Sequence, residues 1–248
     1  MKQFLYDGSF EGFLTAIFYA YSEKEDSHIV KCKDYIPNLI FESVQLETEL
    51  DKFQRVYKSI KIKLSSYILR NVYYLYLSEI PNCEDLALSY LKLCYQYGID
   101  INLAKNNHII SSVDTLCRKV SHEAHRFTGF VRFHEISHLC FYAQIEPDHC
   151  ILPLIEKHFT TRFSDQSFII HDLKREIALL YDQSTSYFKK LTYNENNLFK
   201  SYKNNDAFEA LFKTFYDSVT IPERVNPKLQ KTFVPTRYWK HLAEMSTL

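Results

Sequence analysis

Three clusters in the 248-residue sequence hold residue types that could do chemistry. The first runs from His122 through His125, Arg126, Phe127, Gly129, Phe130, Val131, Arg132, Phe133 and His134 to Glu135, interleaving basic and aromatic side chains. Read as a strand from Gly129 to Glu135, it places Phe130, Arg132 and His134 on one face and Val131, Phe133 and Glu135 on the other. A face that mixes rings and cations stacks bases and pairs phosphates. The same alternation also fits a core face beside a solvated face. The second cluster is Pro147-Asp148-His149, then His158, Arg162, Phe163 and Gln166, then His171-Asp172-Leu173-Lys174-Arg175. Asp148 and His149 are expected at a helix start, where backbone N–H groups favour anions. His171 and Asp172 are expected to close a strand. Asp148, His149, His171 and Asp172 are therefore the catalytic candidates for acid–base or metal-assisted work, since paired His and Asp suit both. The alternative is a helix cap and a histidine laid on a sheet. The third cluster, Lys231 to His241, carries the only Trp, Trp239, between Arg237, Tyr238 and Lys240. Trp and Arg are common anchors of stacking sites and interfaces, and a Trp docked on the core fits equally. The candidate nucleic-acid contacts are thus His125, Arg126, Phe130, Arg132, Arg162, Arg237, Tyr238 and Trp239.

Composition removes several other chemistries. Only four glycines are present, Gly8, Gly12, Gly98 and Gly129. A phosphate loop or a dinucleotide fingerprint needs closely spaced glycines in a set pattern, and neither can be built. No Gly-x-Ser-x-Gly elbow occurs, and no cysteine lies in an activating context. His122 and His125 share a helix face, but neither zinc-finger nor H-E-x-x-H spacing is present, so no metal site is expected. No cofactor is expected either. Six cysteines without a C-x-x-C pair read as free thiols of a cytoplasmic protein. Asp7 and Glu11 interrupt the first apolar run, against a signal peptide. No uncharged apolar stretch reaches the roughly 18 residues of a membrane span. Net charge is zero, with 30 basic and 30 acidic residues, which argues against a uniformly basic coat but permits a local groove.

The elements that must position these residues follow from periodicity and punctuation. Ser9 caps a helix to about Tyr21. Residues 29–46 are extended, with room for short strands. Thr48 and Asp51 open a helix to about Ile60, and helical pattern continues over 61–79. Another helix starts at Asn82 and ends at Gly98, and a fourth spans about 107–127. After that come strands over 129–135 and 137–145, a helix over 148–162 starting at Asp148, and strands over 168–171 and 175–181, with a further candidate over 188–191. A helix over 205–219 and a proline-broken tail follow. The chain reads as α+β: a helical N-terminal half packed with a mainly antiparallel sheet formed largely by residues after 128. It reads as one domain over 1–248, helix-rich over 1–127, sheet-plus-helix over 128–220, and an aromatic and basic tail over 221–248. The order strand, strand, helix, strand, strand is the clearest topological sign.

The three clusters, with Tyr6-Asp7-Gly8-Ser9-Phe10-Glu11-Gly12-Phe13, resemble a bacterial domain family of unknown activity associated with DNA metabolism and DNA repair. The stretches that carry the likeness are YDGSFEGFL, HRFTGFVRF, PDHCILPLIEKHFTTRF, FIIHD and VPTRYWKHL, and it covers nearly the whole chain. Members of that family stand beside a radical-SAM protein, and some are fused to uracil-DNA glycosylase domains. The resemblance implies a DNA-repair context with DNA and a radical-SAM protein as partners. It implies no particular reaction and no catalytic residue. Three functions remain open at this point: a nucleic-acid-associated accessory protein, a DNA-acting hydrolase or lyase using Asp148, His149, His171 and Asp172, and a protein-binding adaptor without DNA contact.

Overall fold

The computed structural model describes every residue except 24–26, 39, 202–210, 212–213, 216–217, 243–244 and 246–248. The described chain divides into two compact units, Met1–His122 and Glu123–Leu248.

In the first unit, Phe4, Leu5 and Tyr6 are buried in a strand that the sequence reading lacks, β1 (Lys2–Tyr6). The chain then turns at Gly8, whose φ of +90° favours glycine. Ser9 caps α1 (Phe10–Ser22), its hydroxyl accepting the Gly12 N–H at 2.9 Å. The extended region resolves into β2 (Ser27–Lys31) and β3 (Glu42–Gln45), each parallel to β1 and on opposite sides of it. Parallel pairing requires a crossover, and α1 supplies the one between β1 and β2. Asp7 ties the start of α1 to the chain beyond β3: one carboxylate oxygen accepts the Ser9 N–H (2.8 Å) and hydroxyl (2.6 Å), the other the Thr48 hydroxyl (2.8 Å). Thr48 is therefore spent on Asp7, and α2 (Leu50–Ser59) begins after Glu49 instead.

The helical pattern expected over 61–79 is interrupted. A π-helical turn, Ile60–Leu64, follows α2, and Ser65 goes extended before capping α3 (Ser66–Ser78). Asn82 and Gly98 bound α4 (Cys83–Tyr97) as expected. Phe13, Leu14, Ile17, Ile68, Val72, Leu75, Leu91 and Ile110 form the centre of this unit's core.

The last helix of this stretch, α5 (His108–Phe130), runs past the expected boundary and supplies residues to both units. Val120, Ala124, Phe127 and Val131 are buried at spacings of three or four, so the helical stripe continues through Gly129. Packing on that stripe overrides the β-propensity of Phe130 to Phe133. The strand expected from Gly129 shrinks to β4 (His134–Ser137). Phe130 ends a helix, and Phe130, Arg132 and His134 share no strand face.

The rest of the second unit follows the expected order. β5 (Cys140–Ile145), α6 (Leu152–Arg162), β6 (Ser167–Asp172), β7 (Ile177–Tyr181) and β8 (Ser186–Lys190) complete a sheet ordered β4-β5-β6-β7-β8. It is antiparallel except between β5 and β6, which α6 connects as a parallel crossover. Ala143, Ile170 and Leu179 stand in register on the face whose core includes Phe127, Ile155 and Phe159. The helix α6 begins four residues later than expected, with Pro153 in its first turn, where the missing N–H costs nothing. Beyond β8 lie α7 (Tyr193–Ser201), α8 (Pro227–Phe233) and a 3-10 turn, Thr236–His241. The helix expected over 205–219 falls largely outside the described residues. Among the described residues, no helix is long and apolar enough to cross a membrane, and all six cysteines are free thiols.

Two glycines test this fold in opposite directions. A Cβ at Gly12 would lie 2.2 Å from Asp7 Oδ1 and 2.8 Å from Thr48 Oγ1, whereas one at Gly129 meets nothing within 4 Å. Gly12→Ala should destabilise by about 1–3 kcal/mol through overpacking. Gly129→Ala should stabilise by up to about 1 kcal/mol through helix propensity. Urea midpoints of the two variants check both signs, and a destabilising Gly129→Ala would contradict helix at that position.

Candidate nucleic-acid interface

The residues singled out in the second unit are organised by one that was not, Glu123. Its side chain is buried on α5, 5% exposed. One carboxylate oxygen accepts the Asp148 N–H and the other the His149 N–H, each at 2.8 Å. The Tyr238 hydroxyl also donates to it. The N–H groups expected to attract an external anion are thus occupied by an internal carboxylate. The burial and the Glu123 carboxylate together push the Tyr238 phenol well above its ordinary range, so it remains a donor. Its ring packs edge-on against Phe127 at 5.0 Å and tilted against Phe130 at 5.8 Å. The aromatic anchor of the tail is therefore Tyr238, 2% exposed, with Trp239 half-buried and its indole N–H donating to the Val234 carbonyl.

Arg237 lies over the Tyr238 ring at 4.6 Å and pairs with Asp148 at 2.7 Å. Asp148 is exposed while His149 is buried. Asp172 is fully buried and held by Arg175 at 2.8 Å, while its other oxygen accepts the N–H groups of Lys174 and Arg175. Burial pushes the Asp172 carboxyl up, and the Arg175 guanidinium opposes it. Arg175 also donates to the Pro147 and Asp148 carbonyls, so this group staples the loop before α6 to the end of β6. Neighbouring residues on a strand face opposite ways. His171 accordingly projects to the other side, where its Nδ1 and the Tyr142 hydroxyl are hydrogen-bonded at 2.8 Å and the Tyr142 ring stacks on Phe199. The four catalytic candidates therefore do not converge on one centre.

The basic candidates are likewise spread out. Arg132 donates to the Gly129 carbonyl at 2.6 Å. Arg162 is exposed at the C-terminal end of α6, whereas Arg237 sits by the loop at its N-terminal end. A helix of that length separates its ends by roughly 16 Å. His125 is exposed, and Arg126 and Phe130 are half-buried on α5. Among the described residues, no three His, Cys, Asp or Glu side chains gather where they could hold a metal.

A better-formed site lies within the first unit. Tyr67, Arg70 and Tyr74 recur along one side of α3. Asp114, Arg118, Ser121 and His122 recur along one side of α5. With Lys105 they line a groove of about 310 Å³. These spacings place each set on one helical face. Arg70 lies over the rings of both Tyr67 (4.9 Å) and Tyr74 (5.7 Å), which holds its guanidinium at the groove. Asp114, the one carboxylate of the lining, is paired with Lys105, and Arg70, Arg118 and His122 are exposed. The floor is structural: the Asn71 amide donates to the Tyr90 hydroxyl at 3.1 Å, and the Cys117 thiol donates to the Asn71 carbonyl. Burial pushes Cys117 up to about 12, so it is a neutral thiol and a poor nucleophile. Sequence reading noticed His122 here but missed Arg70 and Arg118, because their proximity comes from two helices meeting. The local signal that could have found the α3 side is the Tyr-x-x-Arg-x-x-x-Tyr repeat.

Tyr238→Phe removes one donor from a buried charge and should cost about 1–3 kcal/mol. Chemical denaturation followed by emission of the single Trp would show it as a lower midpoint. An unchanged midpoint would remove Glu123 from its role as the lock on the C-terminal turn.

A family model described as a domain of unknown function, DUF4130, matches residues 81–244, more than half of the chain. No curated protein matches, and no solved structure does. By that match, which runs from α4 to the end of the C-terminal turn, the chain belongs to the DUF4130 family.

Proposed function

We propose that this protein is a nucleic-acid-associated accessory protein of DNA metabolism that presents DNA to a radical-SAM partner enzyme. The observation that carries the binding part is the α3–α5 groove, where Arg70, Arg118 and His122 stand beside Tyr67 and Tyr74. The Arg70 and Arg118 guanidiniums suit phosphates, and tyrosine rings suit unstacked bases. The ligand this combination fits is single-stranded or locally unpaired DNA, since a duplex keeps its base faces covered. Zero net charge is compatible with such a site, because it is the local potential of the groove that attracts the strand. Exposed His125 and Arg162, with Arg126, are further contacts on the second unit in this reading. The DNA-repair setting and the radical-SAM partner rest on the resemblance of the five sequence stretches. The acid–base reading through Asp148, His149, His171 and Asp172 gains no support from their dispersed positions.

A salt-dependent titration against single-stranded, duplex and uracil-containing DNA tests the reading. Single-stranded DNA should bind best, with affinity falling steeply as salt rises. In the Arg70→Ala/Arg118→Ala variant the slope should drop by about 1.4, roughly 0.7 for each lost phosphate contact on a single strand. Arg132→Ala/Arg237→Ala, which alters guanidiniums already engaged within the fold, should change it less. Absence of binding at low salt would overturn the proposal in favour of a protein-binding adaptor.

A further inference from the structure

The first unit contains a second cavity, of about 340 Å³, between α1, α2, the π turn and α4. Its floor is apolar, with Ile17 and Leu91 each 2% exposed or less. Its walls carry Phe18, Tyr21 and Tyr95, the last two meeting edge-on at 5.5 Å. Its cations are Arg55 and Lys63, both exposed, and its lining contains no Asp or Glu. Neither cation has an ion-pair partner among the described residues. Arg55 is held in place by stacking over the Phe18 ring at 5.3 Å. Lys63 reaches the cavity from the π-helical turn Ile60–Leu64, closed by the Ser65 N–H donating to the Ile60 carbonyl at 3.0 Å. Such turns are rare and are frequently found at functional sites. A wider turn rotates less per residue, which brings Lys63 back into line with Arg55, eight residues earlier.

An apolar floor, aromatic walls and two uncompensated cations on one rim make up the composition of a small-ligand pocket, and the volume lies within the usual range. We infer that this cavity binds a small anionic molecule with a planar ring, its ring against Tyr21 and Tyr95 and its anionic group on Arg55 and Lys63. The shared chemistry, a ring bearing a phosphate or a carboxylate, is met by a nucleoside monophosphate or by an aryl carboxylate. The inference is independent of the α3–α5 groove, with which the cavity shares no residue.

Isothermal titration calorimetry with thymidine 5′-monophosphate, 2-naphthoate, thymidine and inorganic phosphate tests it on the full chain. At least one of the two ring-bearing anions should bind, and which one does identifies the source. Thymidine and inorganic phosphate should each bind about tenfold more weakly or not measurably. Arg55→Met/Lys63→Met should weaken the ring-bearing anion by about tenfold or more, a loss equal to one charge-assisted contact. Both side chains are exposed, so that variant should fold, which its thermal transition checks. Arg70→Ala/Arg118→Ala should leave this binding unchanged, separating the cavity from the DNA groove. No heat with either ring-bearing anion, equal binding of inorganic phosphate, or indifference to Arg55→Met/Lys63→Met would each overturn the inference.

Discussion

A carboxylate taken out of water must be surrounded by donors, or it destabilises the fold by several kcal/mol. Glu123 imposes that constraint on the second unit. Its donors are two successive N–H groups at Asp148 and His149 and the hydroxyl of Tyr238. Meeting it fixes the chain between β5 and α6 and brings the C-terminal turn back onto the end of α5. The Arg237–Asp148 and Lys240–Glu146 pairs then form along the same seam. These pairs are half exposed, so each contributes little by itself. The buried hydrogen bonds and the Tyr238 ring contacts hold the turn, and the surface charges follow them.

In the first unit a buried carboxylate, Glu84, likewise accepts a tyrosine hydroxyl, that of Tyr6, while the exposed Asp7 accepts from Ser9 and Thr48. Two arginines at the concave surfaces described above are positioned by aromatic rings: Arg70 by Tyr67 and Tyr74, Arg55 by Phe18. A guanidinium stacked on a ring keeps its hydrogen-bonding edge open, unlike one committed to a carboxylate. That difference separates Arg55 and Arg70 from Arg175, whose guanidinium is committed to Asp172 and to the Pro147 and Asp148 carbonyls. It also gives some of the 19 Tyr and 19 Phe side chains a role beyond filling the core.

The candidate site was less legible in the sequence than the fold. Reading along the chain, the eye settles on runs such as 122–135 and 231–241, where basic and aromatic residues are adjacent. Adjacency in sequence put Phe130 and Arg132 near one another without giving them a common face, because the helix did not stop where the strand pattern began. His171 and Asp172 illustrate the same limit: consecutive on β6, they project to opposite sides. The groove that does gather cations and rings draws on α3 and α5, whose contributing residues lie dozens of positions apart.

By itself the sequence determined the α+β class, the caps at Ser9, Asn82 and Gly98, and the order strand, strand, helix, strand, strand. Each of these depends on groups within a few residues: a hydroxyl reaching an N–H one turn on, a glycine at a helix end, an apolar period of two or of three to four. Only the tertiary structure decided that β1 pairs on both sides, that α5 extends to Phe130, and that the Asp148 and His149 N–H groups go to Glu123. Those outcomes rest on partners far along the chain, 115 residues apart for Glu123 and Tyr238. Burial decides them, because a polar group removed from water takes whichever partner the packed chain brings to it, and no local pattern records which one that is.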